Sequence, residues 1–428
     1  MASGEGPSLS GGRSASWLRQ CGALLLIFGA TLTLPQARFY GVTFTGDRLL
    51  GLVAVGALIV LALRRRLRWT GVHVALGVFL ATQVFTSILN MKERPQGLKF
   101  SAIYLLGFAC FALAAECSRR QADRRLSVGG WIVAGGIVSA VGTLATVMSQ
   151  RSQQLLWGSN FAEWLASPDG GRIWVFAARA TFSEHNLLSS FLLVSFALGL
   201  WLWCRDRGHR RLWVIASTGA IVFGLVFGLT RAAWVSSAAM VVHWWWTKRP
   251  GWPRLAAITL LFAGAFSLQA VVIGSSPLVF RVLRPLLRVE DSNLRGRALL
   301  NSAALASWQK RPLLGYGAGS TNDLLVVLPN GTRLPEPWMA NLVLFVLHDS
   351  GLLGLGALAA LLAVLGFKGW RAARRGAGIE MPPVSVPLLV SGAALLFAYQ
   401  FTHALWLMYP YVYLGLLASA IDDTAADA

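Results

Sequence analysis

His348 and Asp349 form the most reactive pairing in the chain, because a neutral imidazole beside a carboxylate can accept a proton near neutral pH. A second imidazole, His185, lies between Glu184 and Asn186 and is the other candidate for proton transfer. Arg231 interrupts an apolar stretch over residues 212–246. A charge at such a place costs at least about 2.5 kcal/mol on insertion scales, so it lines a cavity, pairs or snorkels. Its planar guanidinium also suits a phosphate held by two parallel hydrogen bonds. Arg179, Arg295 and Arg297 offer the same chemistry from polar segments. The chain has no HExxH, no GxSxG and no Walker motif. A phosphate ligand would therefore be held by arginine forks and not through carboxylate-bound magnesium, and no metal or cofactor is expected.

The elements that position these residues are apolar helices. Of the 428 residues, 55% are hydrophobic and 13% charged, half the charged share of a typical soluble domain. The net charge of +20 could suggest nucleic acid, but the cations interrupt apolar stretches and form no single basic face, so no nucleic-acid partner is expected. Apolar runs occur at residues 20–35, 49–63, 71–89, 98–117, 128–148, 186–204, 212–229, 231–247, 254–274, 349–367, 384–402 and 403–420. A bilayer core of about 30 Å needs roughly 20 such residues per helix. The runs are continuous and not alternating, which excludes a β-barrel. The expected fold is all-α: a polytopic membrane protein with about twelve transmembrane helices.

Arginines set the orientation. Dense basic clusters follow every second run: Arg64 to Arg66 with Arg68; Arg119, Arg120, Arg124 and Arg125; Arg205, Arg207, Arg210 and Arg211; Lys248, Arg249 and Arg254; Lys368, Arg371, Arg374 and Arg375. With Arg13 and Arg19 they account for 21 of the 38 cations, and the positive-inside rule makes these turns cytoplasmic. Tryptophans near the run ends suit the headgroup region. The expected division is a cytoplasmic tail at 1–19, nine helices over 20–274 with an outward loop at 149–185, a large outward loop at 275–348, three helices over 349–420 and a cytoplasmic tail at 421–428. The first run lacks a small-residue cleavage site and reads as a retained helix.

The large loop is rich in arginine although outward loops should be poor in cations, which marks it and the 149–185 loop as the functional face. Within it, residues 297–308 predict an amphipathic helix with Leu300, Ala303, Ala304 and Trp308 on one stripe. Pro312 stops that helix. Gly315, Gly317 and Gly319 then form a glycine-rich turn; no strand precedes them, so a dinucleotide site is not expected. The four cysteines lie in or beside apolar runs without a CxxC pair, which predicts neither a disulfide framework nor a thiolate metal site.

Four segments resemble the O-antigen ligase and polysaccharide polymerase superfamily of bacterial inner-membrane glycosyltransferases. They are residues 179–193 (RATFSEHNLLSSFLL), 229–234 (LTRAAW), 297–319 (RALLNSAALASWQKRPLLGYGAG) and 341–354 (NLVLFVLHDSGLLG). The resemblance covers roughly the C-terminal 60% of the chain. It implies a C-type glycosyltransferase-like fold in the inner membrane with both termini cytoplasmic, a polyprenyl diphosphate-linked glycan donor, and a glycan or lipid acceptor. Arg231 matches the arginine at the outer helix end and Arg297 that of the large loop, with Arg295 and Arg179 as further diphosphate ligands. His348, polarised by Asp349, would be the base; Glu184, His185, Asn186, Asn341 and Glu336 would support the acceptor. Where ligases carry a histidine before the asparagine, this chain has Ala340, which favours a polymerase or another acceptor. A transporter or flippase for a lipid-linked or anionic substrate is the competing expectation, although no inverted repeat is evident. A non-catalytic envelope scaffold is a third.

Overall fold

The computed structural model describes residues 10–33, 37–39, 42–63, 67–152, 161–164, 175–205, 210–248, 252–273, 292–324, 326, 339–375 and 383–422. It is mostly helical, as expected. Every one of the twelve apolar runs holds a helix: α1 (Ser10–Ala30), α2 (Gly46–Leu63), α3 (Gly71–Leu89), α4 (Gln96–Cys117), α5 (Gln121–Ser152), α6 (His185–Arg205), α7 (Arg210–Phe227), α8 (Arg231–Lys248), α9 (Trp252–Ile273), α11 (Leu342–Arg375), α12 (Ser385–Ala398) and α13 (Tyr409–Asp422), with α10 (Ser292–Trp308) in the large loop. Two short hairpins, β1 (Ala37–Phe39) with β2 (Val42–Phe44) and β3 (Ala162–Trp164) with β4 (Phe176–Ala178), sit in connections.

Among the described residues, seven helices are long and apolar enough to cross a membrane: α2, α3, α4, α5, α6, α9 and α11. The last two helices have 14 residues each. At 1.5 Å per residue that is about 21 Å, short of a bilayer core. Residues 399–408 between them are not helical, and Thr402, His403 and Ala404 there are buried against protein, the condition under which irregular backbone is tolerated at membrane depth.

Helix α6 forms the centre, with residues 187–200 all buried. It packs on α5, α7, α8 and α12. Around the periphery, large apolar side chains such as Leu52, Ile59, Leu105, Val235, Leu260 and Phe367 face outward, an inversion of the usual soluble pattern. Contacts sort the connections into two ends. At one, Arg19 meets Asp123 at 3.1 Å and Lys368 meets Asp422 at 2.5 Å, gathering the arginine-rich turns. At the other, Thr33 donates to the carbonyl of Thr181 at 2.8 Å, and the backbone N–H of Leu342 donates to the carbonyl of Tyr399 at 2.8 Å.

Candidate functional site

The sequence candidates fall at this second end but divide into two groups. The first surrounds Arg231. The chain leaves α7 through Gly228 and Leu229, the latter in a left-handed conformation at φ 50°, and re-enters a helix at Arg231. Thr230 secures that turn: its hydroxyl donates to the Asn186 side-chain oxygen at 3.1 Å and accepts from Ser189 at 3.0 Å. The first turns of α6 and α8 are thereby locked side by side. Both helix N-termini lie at this turn, and the dipoles of helix N-termini favour an anion.

Arg179 lies just upstream of α6. Its guanidinium donates to the Ser183 carbonyl at 3.2 Å, closing the 179–184 turn. Glu184, His185, Asn186 and Arg231 are all half-buried, accessible from this end yet held by the bundle. The sequence did not single out the side chains that extend this group inward. Ser190 donates to the Asn186 carbonyl at 2.9 Å; the Tyr399 hydroxyl donates to that of Tyr409 at 3.1 Å; the Tyr409 ring stacks edge-on with Phe182 and Phe191. His403 is buried beside Phe345, ring centroids 4.0 Å apart. These residues stand in apolar runs as isolated polar letters, and only their position at helix ends could have drawn notice.

The second group is a latch. Helix α11 begins at Leu342, so the boundary expected at 349 lies within it. Asn341 caps it, its side-chain oxygen accepting from the N–H of Leu344 at 3.0 Å. The helix breaks at Gly351, φ 63°, which frees backbone groups on either side. Residues 312–317 take them up: Tyr316 and Gly317 donate to the carbonyls of His348 and Asp349 at 3.1 and 2.7 Å, and Leu352 and Leu353 donate to Pro312 and Leu313 at 2.9 and 3.1 Å.

His348 and Asp349 belong to this strap. The Asp349 carboxylate accepts from the N–H of Gly319 at 2.6 Å, the Ser320 hydroxyl at 2.8 Å and the N–H of Thr321 at 3.3 Å. Because Ser320 donates to Asp349, it accepts from Nδ1 of His348 at 3.0 Å, leaving Nε2 to accept from Ser307 at 3.1 Å. Both ring nitrogens are used, both residues are fully buried, and Tyr316 stacks on the imidazole at 5.0 Å. A general base needs a nitrogen within reach of the acceptor hydroxyl. With Nδ1 on Ser320 and Nε2 on Ser307, the pair in this structure holds the large loop onto α11. The glycine turn itself follows the sequence reading, with Gly315, Gly317 and Gly319 all at positive φ.

Arg297 is half-buried on α10, whose Leu300 and Ala304 are buried and which packs principally on α11. Arg231 sits on α8, which packs on α6 and α12. The Arg295 side chain and Glu336 lie outside the described residues. Two unforeseen arginines brace the latch. The Cζ atoms of Arg94 and Arg311 lie 5.1 and 5.0 Å from the Tyr316 ring centroid; Arg94 also donates to the Ser320 carbonyl at 2.9 Å, and Arg311 to Asn90 at 2.7 Å. Apart from these ends, an apolar groove of about 270 Å³ runs between α3, α11, α12 and α13, from Leu342 and Tyr399 down to Leu365 and Gly366. No family model matches the chain, and no curated protein matches it.

Proposed function

We propose that the chain is an extracytoplasmic glycosyltransferase of the O-antigen ligase or polysaccharide polymerase type, its apolar helices embedded in a bacterial inner membrane with the Arg231 end outward. The donor is a glycan on polyprenyl diphosphate. The observation that carries this reading is the Arg231 turn. A guanidinium at a helix N-terminus, locked by Thr230 and Asn186 to a second helix N-terminus, supplies two dipoles and a fork for one diphosphate. The apolar groove suits a polyprenyl tail, and its Leu342–Tyr399 end lies at the same end of the bundle as Arg231.

In this reading the acceptor hydroxyl attacks the anomeric carbon with inversion. The bond from that carbon to the diphosphate oxygen breaks, and the electron pair leaves with the polyprenyl diphosphate. Arg231 and Arg179 stabilise the charge that develops there. His185, half-buried in the first turn of α6 beside Asn186, takes the hydroxyl proton in place of the buried His348. Arg297 and Arg295 bind farther along the glycan or its acceptor from α10.

Purified protein in lipid nanodiscs, given a polyprenyl diphosphate glycan, should release polyprenyl diphosphate. Arg231→Ala should reduce that release by at least about a hundredfold, the scale for one lost transition-state donor. Wild-type release from this variant would sink the assignment, and substrate moved across the membrane without release would favour a flippase.

A further inference from the structure

At the arginine-rich end, away from the Arg231 site, helices α2, α3, α4 and α13 part around a second cavity of about 190 Å³. Its inner wall is apolar, with Leu58, Phe108, Ala112 and Ala418. Its rim carries both signs of charge: Arg68, Arg119, Glu116 and Asp422. Asp422 is taken by Lys368. Arg119 meets Glu116 at 3.4 Å, but both are partly exposed, and an i,i+3 pair of this kind is weak and opens readily to a better partner. Arg68 is exposed at the rim, and among the described residues no carboxylate is paired with it. Trp69 stacks on Phe108 at 6.2 Å and edge-on to His73 at 5.9 Å, giving the cavity a rigid aromatic side.

The volume is below the roughly 300 Å³ at which pockets enclose whole drug-sized ligands. A cavity that size admits a headgroup and leaves the rest of the ligand outside. The ligand must present an anion to Arg68 and Arg119, a hydrogen-bonding cation to Glu116, and methylenes to the apolar wall. We infer that this cavity binds the phosphoethanolamine headgroup of a phospholipid. The phosphate lies across Arg68 and Arg119, as guanidinium geometry favours. The primary ammonium donates to Glu116 with charge assistance, whereas a glycerol headgroup offers only neutral hydroxyls there and a fully methylated ammonium has no N–H to donate. The glycerol and first acyl methylenes lie against Phe108 and Ala112. The inference is independent of the proposed reaction, since none of these residues touches the Arg231 site.

Native mass spectrometry of the full chain, with phosphatidylethanolamine, phosphatidylglycerol and phosphatidylcholine added separately, tests it. Ethanolamine lipid should bind at least about tenfold tighter than the other two, the scale of one charge-assisted hydrogen bond. Glu116→Gln should remove that preference while leaving phosphatidylglycerol binding in place. Equal or tighter binding of phosphatidylglycerol to the unaltered protein would overturn the proposal, as would a preference that survives Glu116→Gln. Should that variant fail to fold, Arg68→Gln at the exposed rim serves instead: it should weaken all three lipids, and unchanged binding overturns the phosphate contact.

Discussion

Asp349 accepts three hydrogen bonds from residues 319–321, and each donor is buried with it. Removing the acceptor leaves the Gly319 and Thr321 N–H groups without a partner and the Ser320 hydroxyl with only its contact to His348, at about 1–3 kcal/mol for each group left unpaired. Asp349→Ala is therefore expected to lower stability by about 3 kcal/mol or more, read as a clear fall in Tm in detergent. A Tm matching the unaltered protein together with lost transfer would return the pair to the chemistry. Adjacency in sequence suggested a base and its carboxylate, and the residues are indeed in contact, His348 Nδ1 lying 3.4 Å from Asp349. What the sequence could not display is that Ser307, Tyr316 and Ser320 surround them. Those partners come from about thirty to forty positions upstream, and nothing in local spacing points to them. Arg231 was legible for the opposite reason: a charge inside an apolar stretch is conspicuous in one dimension, and its cost demands an explanation wherever the chain folds.

At the scale of elements, the apolar runs were readable because each helix is long compared with the period that defines it, whereas breaks and starts were not. Capped by Asn341, α11 begins at Leu342, seven residues before the expected boundary at Asp349, since a cap depends on one side-chain hydrogen bond and not on hydropathy. The kink at Gly351 was hidden because glycine is common in membrane helices. Its φ of 63° with ψ −159° lies in a region essentially reserved for glycine, at a cost of roughly 1–3 kcal/mol to another residue, and a Cβ there would collide with the Leu313 backbone. Gly351→Ala should consequently detach the 312–317 strap. The Lys310–Arg311 bond would then open to trypsin, which does not cut before Pro312, and limited proteolysis should cut there at least about tenfold faster, the factor expected when local opening becomes easier by about 1.4 kcal/mol. Cleavage at the native rate would mean that the strap is held by Asp349 and Arg311 alone.

On the scale of the whole molecule, charge and apolarity divide the bundle twice. Arginine-rich turns collect at one end, and the half-buried arginines, the strap and the paired helix N-termini collect at the other. Outward-facing leucines and valines separate the two. The composition made this division foreseeable, but it left open how the proposed lipid-linked donor would enter. The groove between α3, α11, α12 and α13 exists because α12 and α13 are short helices joined by buried irregular chain, leaving a gap that apolar side chains line. Gly366 lines this groove, and a Cβ there meets nothing within 4 Å, so a larger side chain can be added without collision at its root. Gly366→Phe should occupy space that a polyprenyl tail would use. Displacing about two methylenes' worth of contact at about 0.8 kcal/mol each predicts a KM for the lipid-linked donor about tenfold higher, with Tm held and kcat little changed. A donor analogue with a short tail should feel the substitution far less, because its chain ends before Gly366. Equal loss with both donors would mean that the tail runs elsewhere, and the groove would then be ordinary lipid-facing surface.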